Sequence, residues 1–367
     1  MTDEQGEQLQ EPPERIAAAN INTAMVVDDA FDLVNAGEIE DELQRFWEPL
    51  VREQEDSEPL RNEIDRLTQS AQAAERLSTE TRLDDWTDLT DDVLNYLFDE
   101  LEGYPAIKRR AEQTIFATKL EKLAPLRRLC SHLESLKVKV TTHSSDVDLS
   151  QQSACVIFLD YYLGAADDDS AIEQAKTRIR DIYAHVPEGN EKPFVVLMSS
   201  KEIGEVQRKF CEEAELLLGL LTFTPKKELE VREVLLFHLA TWALHLPQRH
   251  AIQSFVESLE GSLKLATQMF RKRIRGLGIE DYANIQWLSL QEEGQPLGDY
   301  MLWLYKAMLS HLLHDNSGVL AQQQQLDEMT VDTFLPNHAP PSSDLAELYR
   351  FAITVPGVGP AGPHPRS

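Results

Sequence analysis

Four short apolar runs stand out along the chain: Thr23-Ala-Met-Val-Val27, Val156-Ile-Phe-Leu159, Phe194-Val-Val-Leu-Met198 and Leu220-Leu-Thr-Phe223. Each is continuous and rich in β-branched or aromatic side chains, the pattern of a strand buried on both faces of a parallel sheet. A fifth run, Val138-Lys-Val-Thr-Thr142, is interrupted by a lysine and reads as an edge strand. Helical periodicity over 170–184, 203–218 and 228–246 separates or follows the later strands. Strands alternating with helices of this length predict an α/β domain built on a doubly wound, five-stranded parallel sheet. Ligands of such sheets bind beyond the C-terminal ends of the strands.

Two regions exceed that frame. From Asp29 to Asp160 the chain runs 131 residues, where two helices, a strand and short loops need roughly 50. Helical spacing of Ile39, Leu43, Phe46, Trp47 and Leu50, and of Val93, Leu94, Leu97, Phe98 and Leu101, makes the surplus a large helical insertion at about 50–130. Its acidic stretches at Asp84-Asp85 and 88–92 read as solvated faces and caps. After residue 246 the patterns at 252–277, 282–290, 300–313 and 322–325 are helical throughout, giving an all-α C-terminal region. The expected organisation is a disordered N-terminus at 1–20, a sheet domain with its insertion at 21–246, a helical bundle at 247–335 and a disordered tail at 336–367.

Composition narrows the function. Lys and Arg number 35 against 63 Asp and Glu, a formal net charge of −28, which repels a DNA duplex or an anionic membrane. No apolar stretch reaches membrane-spanning length, so neither nucleic acid nor membrane is expected as a partner. Residues 1–20 lack the basic and apolar segments of a secretory leader. Cys130, Cys155 and Cys211 are odd in number and flanked by apolar sequence, as buried thiols are. A cytoplasmic protein is expected.

The candidate chemistry lies at the strand ends. The first strand leads into Asp28-Asp29, the third into Asp160, the fourth into Ser199-Ser200 and the fifth into Pro225-Lys226. Three carboxylates converging in a partly dehydrated cleft repel one another unless a divalent cation joins them, and an all-oxygen set selects Mg2+. Taken singly, an Asp-Asp pair after a strand is a turn or a cap, Ser199 an N-cap and Lys226-Lys227 a solvated pair. Together and in this order they fit a phosphoryl group carried on one carboxylate.

At these residues the chain resembles the response-regulator receiver family: Met25-Val-Val-Asp-Asp29, Val156-Ile-Phe-Leu-Asp-Tyr-Tyr-Leu-Gly164, Pro193-Phe-Val-Val-Leu-Met-Ser-Ser200 and Phe223-Thr-Pro-Lys226 follow in the family's order. The resemblance implies a flavodoxin-like sheet and a magnesium-dependent phosphoacceptor without output enzyme activity. Asp160 would accept the phosphoryl group, and Asp28, Asp29, Asp160 and the backbone carbonyl of Tyr162 would hold Mg2+. Ser199 would be the switch hydroxyl and Lys226 the phosphate-binding lysine. Two features depart from the family pattern: the proline precedes the lysine, so that alignment on Thr224 would remove the lysine, and the Tyr-Tyr-Leu-Gly loop lacks a proline. The partners implied are a histidine kinase and a downstream effector or response regulator, with a homodimer as a further option. In architecture the chain is also similar to the large stand-alone receivers of Detocs-type phage-defence phosphorelays. A DNA-binding transcriptional regulator and an inactive receiver scaffold are the competing readings. Arg271-Lys-Arg-Ile-Arg275 reads as a helix C-terminus, His311 and His314 as partly buried helix residues, and His250 lies outside any kinase-like sequence.

Overall fold

All five runs form strands: β1 (Thr23–Val27), β2 (Lys139–His143), β3 (Val156–Asp160), β4 (Phe194–Ser199) and β5 (Leu221–Pro225). They make one all-parallel sheet in the order β2-β1-β3-β4-β5, with the lysine-bearing β2 at an edge. The computed structural model describes residues 12–52, 57–146, 154–163, 168–186, 191–200, 207–214, 220–287, 296–314, 316–329 and 343–354. Its helices, in chain order, begin with α1 (Pro12–Ala18), α2 (Glu40–Val51), α3 (Ser57–Ala73), α4 (Asp91–Asp99), α5 (Pro105–Ala111) and α6 (Ala117–Ser135). After β3 come α7 (Asp168–His185), α8 (Gln207–Ala214), the single turn α9 (Lys226–Leu229) and α10 (Arg232–Arg275). The chain continues through α11 (Ile279–Ile285), α12 (Leu297–His314), α13 (Ser317–Asp327) and α14 (Ser343–Thr354).

Alternate strand residues point to opposite faces, and both faces are covered. Ala24, Val26, Val156, Phe158, Phe194 and Val196 meet Ile16 of α1, Leu126 and Leu133 of α6, and Leu239 and Trp242 of α10. On the other face Met25, Val27, Ile157, Leu159, Val195 and Leu197 meet Ala175 and Ile179 of α7 and Phe210 of α8. Burial on both sides is why these strands read as unbroken apolar runs, each large side chain contributing about 1.5–3 kcal/mol.

The insertion has a core of its own. Phe46 and Trp47 from α2, Leu67 from α3, Leu94 and Leu97 from α4, Ile107 from α5 and Phe116 pack into a cluster separate from the sheet. Phe98 touches both this cluster and the sheet core, and stands edge-on to Phe116 with ring centroids 5.0 Å apart. The acidic stretches act as caps: Asp85 and Asp88 form a reciprocal capping box around residues 86–88.

Several expectations about boundaries are corrected. The expected boundary at 246–247 falls inside a helix, since α10 runs for 44 residues through Pro247. Of the N-terminal segment expected to be disordered, residues 12–18 form α1, which docks on α10 with Ile16 buried. Of the tail expected to be disordered, residues 343–354 form α14. Residues 1–11, 336–342 and 355–367 lie outside the described residues, as do 203–206, 215–218 and 288–290 of the expected helices. The three cysteines are unpaired, but only Cys211 is fully buried; Cys130 and Cys155 are half-buried. Among the described residues no helix is long and apolar enough to cross a membrane.

Candidate metal and phosphoryl site

The parallel sheet brings Asp28 and Asp160 to the same edge, because β1 and β3 are hydrogen-bonded neighbours in register Val27↔Leu159. Asp28 follows β1 in extended conformation and caps the turn over residues 29–31, its Oδ1 accepting from the Ala30 N–H at 3.0 Å. Asp29 is thereby turned toward Asp160, and one carboxylate oxygen from each of Asp28, Asp29 and Asp160 lies within 4.8 Å of the others. Asp28 is fully buried and Asp160 nearly so, while Asp29 is partly exposed.

Lys226 enters from the far side. β5 ends at Pro225, opposite Ser199 in register, and the proline's fixed φ turns the chain into α9. The Lys226 Nζ lies 2.7 Å from Asp28 Oδ2 and 3.0 Å from Asp160 Oδ2, donating a hydrogen bond to the latter. Its 2.7 Å approach to Asp28 Oδ2, an oxygen with no other partner among the described residues, is an ion pair within the buried site. Thr224, the alternative to Lys226, is buried in β5 beside Met198 of β4, and it is Lys226 that reaches the carboxylates.

Charge is unbalanced here. Burial, with Asp160 close by, pushes the Asp28 carboxyl up to about 7 despite Lys226. Burial also raises Asp160, against the opposing pull of Lys226. Burial works against the Lys226 ammonium too, but the two carboxylates outweigh it and raise its pKa. At Asp29 burial is outweighed by a hydrogen bond and charge from Lys122, which hold it below the ordinary carboxylate range. The set is deficient in positive charge, and a divalent cation coordinated by hard oxygens is the group that such a cluster fits.

A cleft of about 390 Å³ opens on these groups, lined by Asp29, Lys122, Asp160, Tyr162, Ser200 and Lys226 among others. Tyr162 therefore borders the cleft, its N–H 3.4 Å from Asp160 Oδ1, while Tyr161 packs inward against Phe210 and Phe223. Ser199 is buried at the end of β4 and lines an adjoining space with Ser200, Pro225 and Lys226. The sequence-derived set Asp28, Asp29, Asp160, Ser199 and Lys226 is thus gathered at one end of the sheet.

Sequence reasoning missed two lysines on α6. Lys122 Nζ lies 3.1 Å from Asp29 Oδ2. Lys119 donates to the carbonyls of Ala30 and Asp32, pinning the loop that carries the acidic pair, and sits over the Phe98 ring. Their i, i+3 spacing on the helix that enters β2 was the available signal. Comparison of the chain with known protein families, with curated proteins and with solved structures finds no match.

Proposed function

We propose that the chain is a receiver-type phosphoacceptor with a flavodoxin-like sheet, taking a phosphoryl group onto Asp160 from the phosphohistidine of a partner kinase in the cytoplasm. The observation that carries this reading is the bridge of Lys226 between Asp28 and Asp160 at the C-terminal edge of the parallel sheet, with Asp29 alongside. A structural ion pair needs one carboxylate. Here two buried carboxylates share Lys226 while Asp29 pairs with Lys122, and ionising Asp28 leaves one negative charge uncompensated, which a binding site resolves when its ligand arrives.

Asp28, Asp29, Asp160 and the Tyr162 carbonyl are the groups that would hold Mg2+. Bound there, the ion would offset the charge of the phosphoryl oxygens. An oxygen of Asp160 attacks phosphorus, the P–N bond breaks with its electron pair returning to the donor imidazole, and that nitrogen takes a proton from solvent. Lys226 is positioned to bond a phosphoryl oxygen, and a hydroxyl from Ser199 or Ser200 a second one. The acyl phosphate then signals, or is stored, through protein contacts.

Incubation with acetyl phosphate and Mg2+ is expected to add one phosphoryl mass to the intact chain, and none to Asp160→Asn. Label retained by that variant, or no label on the wild type with Mg2+ bound, would overturn the assignment.

A further inference from the structure

Beyond Leu246, α10 keeps side-chain ties to the sheet domain, through Arg249, His250 and Glu257, and leads on into α11, α12 and α13 as an arm. Among its described residues only Gln253, Ser262, Ala266 and Val319 are fully buried, and none belongs to a hydrophobic core. Helices gain their stability from an apolar face covered by tertiary packing, and here that cover is incomplete. The deficit is greatest at α12. It has two charged residues in 18, Asp299 and Lys306, and otherwise consists largely of leucine, methionine and aromatic side chains, yet none of its residues is fully buried. Leu302 is 60% exposed and Trp303 56%.

The exposed residues Asp299, Leu302, Trp303 and Lys306 follow i, i+3, i+4, i+7 spacing and share one face of α12. Trp303 is stiffened by stacking on Tyr300, with ring centroids 5.5 Å apart. Asp299 and Lys306 are equally far from the midpoint between Leu302 and Trp303, on opposite sides. Among the described residues neither makes an ion pair within its own chain. A two-fold axis through that midpoint, with the helices antiparallel, sets each Asp299 against the other copy's Lys306 and closes the leucine and tryptophan between them. Such self-complementarity is what an isologous contact requires. The arm also has the charge for it: residues 247–329 carry seven Lys and Arg against ten Asp and Glu, although the whole chain stands at −28. Two arms therefore repel one another less than their share of the whole chain's charge would give.

We propose that the outward face of α12 is a homodimer interface, occupied by the same face of a second copy of this chain around Leu302 and Trp303. Apolar anchors at the centre with charged groups on the rim match the anatomy of specific interfaces. The inference does not depend on phosphorylation of Asp160.

The test is sedimentation equilibrium of the full chain at micromolar concentration. A two-chain mass is expected, and Leu302→Glu is expected to give a one-chain mass with the helical circular dichroism retained. Asp299→Lys and Lys306→Asp singly are expected to weaken association about tenfold, because each juxtaposes like charges. The double variant D299K/K306D restores the pairing with reversed sign, and a recovery to within about threefold of wild type is expected. That recovery cannot come from a variant that merely unfolds. A one-chain mass for the wild type, or a dimer indifferent to Leu302→Glu, would overturn the proposal. No recovery in the double variant would overturn the antiparallel placement. Binding of another protein by a monomeric wild type counts against it as well.

Discussion

Asp28 is fully buried and has a lysine at 2.7 Å, yet its carboxyl is displaced upward from 3.8 to about 7. The cause is first the loss of water and second the neighbouring Asp160, which together outweigh Lys226. Between pH about 4 and about 7 the native metal-free chain therefore keeps a proton that the unfolded chain has released. Its contribution to stability is full at the acid end and is lost as pH rises through that window, on the order of 1 kcal/mol per pH unit. A cation requires the carboxylate, so binding releases the proton and grows stronger as pH rises. Thermal unfolding checks both signs. Without metal the transition temperature is expected to fall from pH 5 to pH 8, and Asp28→Asn to remove most of this component. Mg2+ is expected to raise the transition more at pH 8 than at pH 6 in the wild type. An unchanged pH slope in Asp28→Asn would show that other groups govern it.

The insertion does more than lengthen the chain, since it leads into α6 and fixes the helix that delivers Lys119 and Lys122. Phe98 joins the insertion core to the sheet core and lies under the Lys119 ammonium, so the packing of α4 bears on the acidic loop. Lys122 is half exposed, and its attraction for Asp29 is screened by water. It nevertheless competes for the carboxylate that a metal would use. Lys122→Ala is expected to tighten Mg2+ binding about two- to fivefold, read by calorimetric titration, and weaker binding would mean that the lysine organises the loop instead. How far these elements were legible depended on their surroundings. Strands buried on both faces declared themselves as unbroken apolar runs, and with them Asp28, Asp29, Asp160, Ser199 and Lys226 at their ends. Lys122 did not, because its role follows from where α6 lies in space. The continuity of α10 through Pro247 was hidden for a similar reason: a proline inside a helix costs about 3 kcal/mol, and here Leu246 on the sheet and Arg249 over the Phe194 ring hold the helix on both sides of it. α1 and α14 were missed because both are short and adjoin polar, proline-containing segments.

Across the whole molecule charge is unevenly shared, and the arm carries less net acidity than its length would give. Its one cationic cluster, Arg271, Lys272, Arg273 and Arg275, closes α10, where cations offset the helix dipole. Four cations on a chain of −28 are few for a duplex, whose binding rests on many phosphate contacts and weakens steeply with salt, so no duplex binding is expected. Self-association through α12 has the opposite dependence. Tyr305 of α12 packs on Phe270, about 20 Å along α10 from Glu257, which is still paired with Lys192 beside β4, so the interface stands off from the acidic bulk of each copy. At physiological salt, with a screening length of about 8 Å, the two bodies scarcely interact, whereas at 10 mM it reaches about 30 Å and they repel. The exposed Asp299 and Lys306 pairs contribute at most about 1 kcal/mol each and lose it as salt rises, which is less than the repulsion relieved. Association is therefore expected to strengthen from 10 mM to 150 mM NaCl and then to level off, in light scattering at fixed protein concentration. Mobility shift with duplex DNA is expected to be blank across the same range. Association strongest at the lowest salt, or a duplex shift lost on neutralising the 271–275 cluster, would identify the arm as a surface for an oppositely charged partner.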